Sequence, residues 1–117
     1  MIRRPLIVAG VLAALALPAT AAAHTGISSR SPGPGKAVSK SSLTYVKVNF
    51  EGRVSDATLV VKRGGTKVSR GDGSLADRSR QVRARLTPKR SGRHTATVRW
   101  LSFDGHVLSK TWSFRIR

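Results

Sequence analysis

A chain of 117 residues has room for one domain, and its 22 Lys and Arg against five Asp and Glu give a formal net charge of +17. The absence of cysteine excludes disulfide bridges and thiolate metal sites. Acid–base or metal chemistry would have to come from three histidines and five carboxylates.

Residues 1–23 begin with Arg3 and Arg4, continue through the apolar run Leu6–Leu17 and end in Pro18-Ala-Thr-Ala-Ala-Ala23. A basic start, an apolar stretch and a small-residue ending describe a cleavable secretory signal peptide. The run is shorter than the roughly 20 residues that cross a bilayer. A cut after Ala23 makes His24 the first residue of a mature chain 24–117, expected in the periplasm or outside the cell. Loss of the two arginines takes the formal charge to +15, since all five acidic residues lie downstream.

Residues 24–42, HTGISSRSPGPGKAVSKSS, have no periodicity and read as an extended arm or loop. Alternation starts at Thr44–Phe50, where Val46, Val48 and Phe50 share a face. Ala57–Lys62 is an apolar run closed by Gly64-Gly65, with Thr66–Ser69 as its returning strand. Gln81–Leu86 turns Val82, Ala84 and Leu86 inward and Arg83 and Arg85 outward. His94–Phe103 groups Ala96, Val98 and Trp100; Val107–Ile116 groups Leu108, Trp112, Phe114 and Ile116, interrupted by Lys110. About six short strands with regular turn signals predict a small all-β sandwich. Phe50, Trp100, Trp112 and Phe114 are expected in its core.

No serine stands in a G-x-S-x-G context and no dinucleotide or phosphate-loop fingerprint is present, so enzymatic activity is not expected. The stretch Ser102-Phe-Asp-Gly-His-Val107 places a carboxylate and an imidazole on either side of a glycine. Asp-Gly is favoured in type I′ hairpin turns for backbone reasons alone, so the pair by itself is weak evidence for a metal. His24 changes that balance. After cleavage it offers an α-amine and an imidazole that close one chelate ring. With Asp104 and His106 it makes an N,O-rich set suited to Cu(II); zinc is the alternative occupant.

These residues resemble the CopC-type periplasmic copper-binding domains. The likeness is carried by Ala-Ala-Ala23 before His24, Ser31-Pro-Gly-Pro-Gly35, the strand Val46–Phe50, and Val98-Arg-Trp-Leu-Ser-Phe-Asp-Gly-His106 followed by Leu108-Ser109 and Trp112-Ser-Phe114. It implies an immunoglobulin-like β-sandwich or Greek-key barrel of six to seven strands. It also implies one Cu(II) held by His24, Asp104 and His106, with the ion buffered or delivered to a CopD-like membrane copper transporter by a monomeric protein. Three features depart from the pattern. Met1 is the sole methionine, so a thioether Cu(I) site is not expected. Phe50-Glu51-Gly-Arg-Val54 replaces F-x-E-P-V, with Glu51 one residue early as a possible neighbour of the metal. His94 has no counterpart and reads as an exposed residue at a strand edge.

Eleven basic residues fall between Lys62 and Arg93, against Asp72 and Asp77. Arg78, Arg80, Arg83 and Arg85 at period two predict a basic stripe, a solvated surface or one that meets anionic envelope polymers or lipids. Without interleaved aromatics, specific nucleic-acid binding is not expected. Hence a competing reading, a metal-free secreted adhesion domain with a cationic face. A copper monooxygenase, which also uses an N-terminal histidine, ranks behind both because the chain is short. Arg70-Gly71-Asp72 is read as turn chemistry.

Overall fold

The computed structural model describes residues 24–117; the signal-peptide reading of residues 1–23 lies outside them. No described residue is helical. The strands are β1 (Ile27–Ser31), β2 (Ala37–Val38), β3 (Tyr45–Phe50), β4 (Asp56–Arg63), β5 (Thr66–Lys67), β6 (Ser74–Ala76), β7 (Gln81–Arg85), β8 (Gly92–Leu101) and β9 (Val107–Ile116). They form a four-stranded sheet, β1-β3-β7-β6, facing a five-stranded sheet, β2-β9-β8-β4-β5. All neighbours are antiparallel except β2 on β9. The expected immunoglobulin-like β-sandwich is the observed fold.

Period-two alternation explains the packing. Val46, Val48 and Phe50 on β3, and Val82 and Ala84 on β7, are buried against Leu59 and Val61 of β4, Ala96, Val98 and Trp100 of β8, and Trp112, Phe114 and Ile116 of β9. With no disulfide, this core supplies the main apolar stabilisation. The Gly64-Gly65 pair closes β4 onto β5 with φ of +60° and +86°, the positive angles that a two-residue I′ turn requires. β5 is brief because the chain then changes sheets. Ser69 bridges Leu86 on the facing sheet, while its hydroxyl accepts the Val61 N–H.

Three expectations need correction. First, the arm 24–42 contains β1 and β2, and β6 lies beyond β5, so the described residues form nine strands, more than the six to seven expected. β1 is an edge strand with a register shift between Ile27 and Ser29, and it buries too few side chains to need an apolar alternation. Second, His94 is not exposed: it is 0% accessible. It shares the inward parity of Ala96 and Val98, and its ring stacks on Phe114 at 5.4 Å. Third, the four arginines do not form one stripe. Asp77, Arg78 and Ser79 all have positive φ, so the chain turns left-handed before β7 and the parity resets. Only Arg83 and Arg85 project from β7 on the outer face.

β8 and β9 pair along their full length, from Gly92 opposite Ile116 to Leu101 opposite Val107. That long hairpin fixes where its connecting loop, 102–106, is held.

Candidate metal centre

The Ser102–His106 loop differs in detail from the expected I′ turn. Gly105 N–H donates to the Ser102 carbonyl and Ser102 N–H to the His106 carbonyl, both at 2.9 Å. Phe103 and Asp104 are thus the central turn residues, and neither has positive φ; Gly105 follows with φ +90°. This is the longer hairpin connection, a turn followed by a left-handed glycine. It leaves Asp104 and His106 on the same side of the loop. The His106 backbone N–H donates to Asp104 Oδ1 at 3.1 Å.

The N-terminal segment is brought to this loop by two contacts on Thr25. Its N–H donates to Ser102 Oγ at 3.1 Å, and its carbonyl accepts the Trp100 indole N–H at 2.8 Å. Ser102 and Trp100 are both buried. Neither role was legible in the sequence, where Trp100 reads as core and Ser102 as a turn residue.

His24 therefore lies against the loop. Its Nδ1 stands 2.8 Å from Asp104 Oδ2, and His106 Nδ1 stands 2.9 Å from the same oxygen. The two imidazoles meet edge to face with centroids 4.6 Å apart. Among the described residues, these form the one group of three or more His, Cys, Asp or Glu whose donor atoms all lie within 4.8 Å of one another. All three predicted site residues are thus brought together.

Desolvation pushes the Asp104 carboxyl up. It is outweighed by the His106 backbone N–H, by the His106 imidazole through its hydrogen bond and its charge, and by His24. The carboxyl accordingly lies below its ordinary value. A carboxylate only accepts, so His106 faces it as an Nδ1–H donor, while His24 Nδ1 lies beside the same oxygen. The donor set fits a first-row dication: two donors about 2.0 Å from an ion and at right angles to each other are about 2.8 Å apart. Two imidazoles and a carboxylate form a nitrogen-and-oxygen set compatible with Cu(II).

Glu51 stands apart from the trio. Its N–H donates to the Gly26 carbonyl at 2.8 Å, and its side chain lies over Gly26 so closely that a Cβ there would meet Oε1 at 2.6 Å. Phe103 within the loop and Val107 just after it are exposed, so the cluster opens to solvent.

A small two-sheet sandwich with a His, Asp, His cluster at one end is the class of protein that fold and geometry define. The CopC domain family matches residues 27–117, and the chain belongs to that family of copper-resistance proteins. Among solved structures, CopC from Methylosinus trichosporium OB3b has a TM-score of 0.66 at 24% identity, with 80% of this chain and 93% of that one covered. PcoC, a methionine-rich copper resistance protein from Escherichia coli, also has a TM-score of 0.66, at 16% identity, with 81% of this chain and all of that one covered. At these identities the likeness is one of fold. No curated protein sequence matches the chain.

Proposed function

We propose that the protein is a periplasmic or extracellular copper carrier that holds one Cu(II) through His24, Asp104 and His106. The carrying observation is the convergence of two imidazole nitrogens on one Asp104 oxygen at 2.8 and 2.9 Å. Removal of residues 1–23 as a signal peptide would add the His24 α-amine as a fourth donor, which with the imidazole closes a chelate ring. Ligation needs a free imidazole nitrogen on each histidine, for which protons compete, so uptake weakens as acidity rises. With no soft sulfur donor in chain 24–117, the cargo is the cupric form. The site is shallow and solvent-facing, which suits an ion taken up and handed on, as to a CopD-like membrane transporter, by a monomeric protein without catalytic turnover.

The test is Cu(II) titration of the chain beginning at His24, in competition with a chelator of known affinity. One equivalent should bind. His24→Ala and His106→Ala should each weaken binding by at least about tenfold, the least expected when even a residue supporting a ligand costs that much. Wild-type affinity in His106→Ala would overturn the assignment.

A further inference from the structure

The second concentration of chemistry lies on the outer face of the four-stranded sheet, at the end away from the metal cluster. β3 and β7 place Tyr45 opposite Arg85 and Lys47 opposite Arg83. Arg70 joins them because its N–H donates to the Arg85 carbonyl at 2.9 Å. The Tyr45 ring lies 4.6 Å from the Arg83 guanidinium carbon and 5.6 Å from that of Arg85, so one aromatic ring orients two cations.

Like charges set directly opposite on a sheet repel, and among the described residues no carboxylate lies within 4.0 Å of Lys47 or Arg83 to offset them. Among the described residues Lys67 is the single Lys or Arg with a carboxylate within 4.0 Å, that of Asp72. On one side the patch is bounded by a neutral row: Gln81 donates to Asn49 Oδ1 at 2.8 Å, and Asn49 to Ser29 Oγ at 2.9 Å. On the other, Gly73 brings its loop hard against β7. Its φ is +85°, and a Cβ there would lie 3.2 Å from the Arg83 carbonyl oxygen. The result is a cavity of about 220 Å³ lined by Tyr45, Arg70, Gly73, Ser74, Arg83 and Arg85.

We propose that this cavity is a binding site for a phosphate group. Guanidinium forks match tetrahedral oxyanions through paired N–H donors, three arginines line one cavity, and Ser74 beside them carries a hydroxyl donor. The volume admits a phosphate and a few waters at about 30 Å³ each. Tyr45 has both neighbouring guanidiniums against it, so its ring is committed to holding them rather than stacking on a base. β3 carries the chain five residues from Tyr45 to Phe50, about 17 Å, and Phe50 pairs with Ile27 beside the N-terminal segment. Phosphate and metal therefore bind at opposite ends, independently. The phosphate could be free or carried by a lipid headgroup.

The experiment titrates the chain 24–117 with inorganic phosphate, followed by NMR and calorimetry in chloride buffer. Binding should be saturable and shift the Tyr45, Arg83 and Arg85 signals. Arg85→Gln and Arg83→Gln should each weaken it by about tenfold or more, as for lost charge-assisted hydrogen bonds. Tyr45→Leu, which keeps every charge, should weaken it too. Arg99→Gln removes the same charge from the other sheet and should change it less than about twofold. Cu(II) binding should be unchanged in all four, and thermal melts confirm folding, with exposed Arg85 as the safest position. Co-sedimentation with phosphatidylglycerol and phosphatidylcholine vesicles separates the sources. Retention on the anionic vesicles that phosphate competes away marks a headgroup; phosphate binding with no retention on the vesicles marks the free ion. Equal losses in Arg99→Gln and Arg85→Gln, wild-type affinity in Tyr45→Leu, or no binding in either arm would overturn the site.

Discussion

The indole N–H of Trp100 donates to the Thr25 carbonyl at 2.8 Å, across 75 residues of sequence. With the Thr25 N–H on Ser102 Oγ, both backbone groups next to His24 are held by the strand and loop that carry Asp104 and His106. The cluster is thus organised from one side: the β8–β9 hairpin presents two donors and also fixes the segment that presents the third.

Trp100→Phe keeps the ring in the core and deletes the donor. A hydrogen bond of this kind contributes about 1 kcal/mol, so the Cu(II) dissociation constant should rise about fivefold. Exchange at amides near Thr25 should quicken. Chelator competition and hydrogen exchange check the two effects, and an unchanged constant would show that Thr25 does not position His24.

Gly105 has φ +90°, a conformation that costs a residue with a Cβ about 1 kcal/mol or more. Gly105→Ala should lower the melting temperature modestly. It should weaken Cu(II) binding by more than that cost alone, because relaxing the turn moves Asp104 relative to His106. Differential scanning calorimetry with and without copper separates the two effects.

His94 donates from Nδ1 to the Gly92 carbonyl at 3.0 Å, while its buried Nε2 has no partner. Desolvation lowers its pKa below 6.5; the Gly92 hydrogen bond opposes this and the Arg63 charge adds to it. Between the lowered value and 6.5 the unfolded chain binds more protons, so stability is complete above pH 6.5 and falls as pH drops through that window. Asp104, also lowered, contributes stability that is lost below its ordinary value of 3.8, at more acid pH. The urea midpoint of the wild type should therefore fall from about pH 7 to 5.5 more steeply than that of His94→Leu. Parallel slopes would contradict this.

Arg78 sits in the middle of three consecutive non-glycine residues with positive φ, and each such residue costs about 1–2 kcal/mol. Arg78→Gly should raise stability by about 1 kcal/mol, read from urea unfolding. A fall in the midpoint would mean that the Arg78 side chain contributes more than its backbone costs.

The sequence made the core legible where side-chain type and parity agreed. Val46, Val48 and Phe50, then Ala96, Val98 and Trp100, then Trp112, Phe114 and Ile116 are buried as their alternation predicts. His94 was misread because its polarity outweighed its parity. β1 was invisible because an edge strand of serines carries no alternation. The arginine stripe failed at Asp77–Ser79, where the left-handed turn breaks the period. Asp104 and His106 were legible as a local motif, and His24 through the proposed processing site. The bonds from Trp100 and Ser102 to Thr25 had no local signal, since a side chain bonding a backbone group across the fold leaves no pattern.

The most direct test of the copper account compares the chain beginning at His24 with the same chain acetylated on its α-amine. Acetylation leaves the imidazole, Asp104 and His106 in place. Chelator competition should show Cu(II) affinity falling by at least about tenfold, with a changed cupric EPR spectrum. Equal affinity and identical spectra would contradict a centre built on the N-terminal histidine.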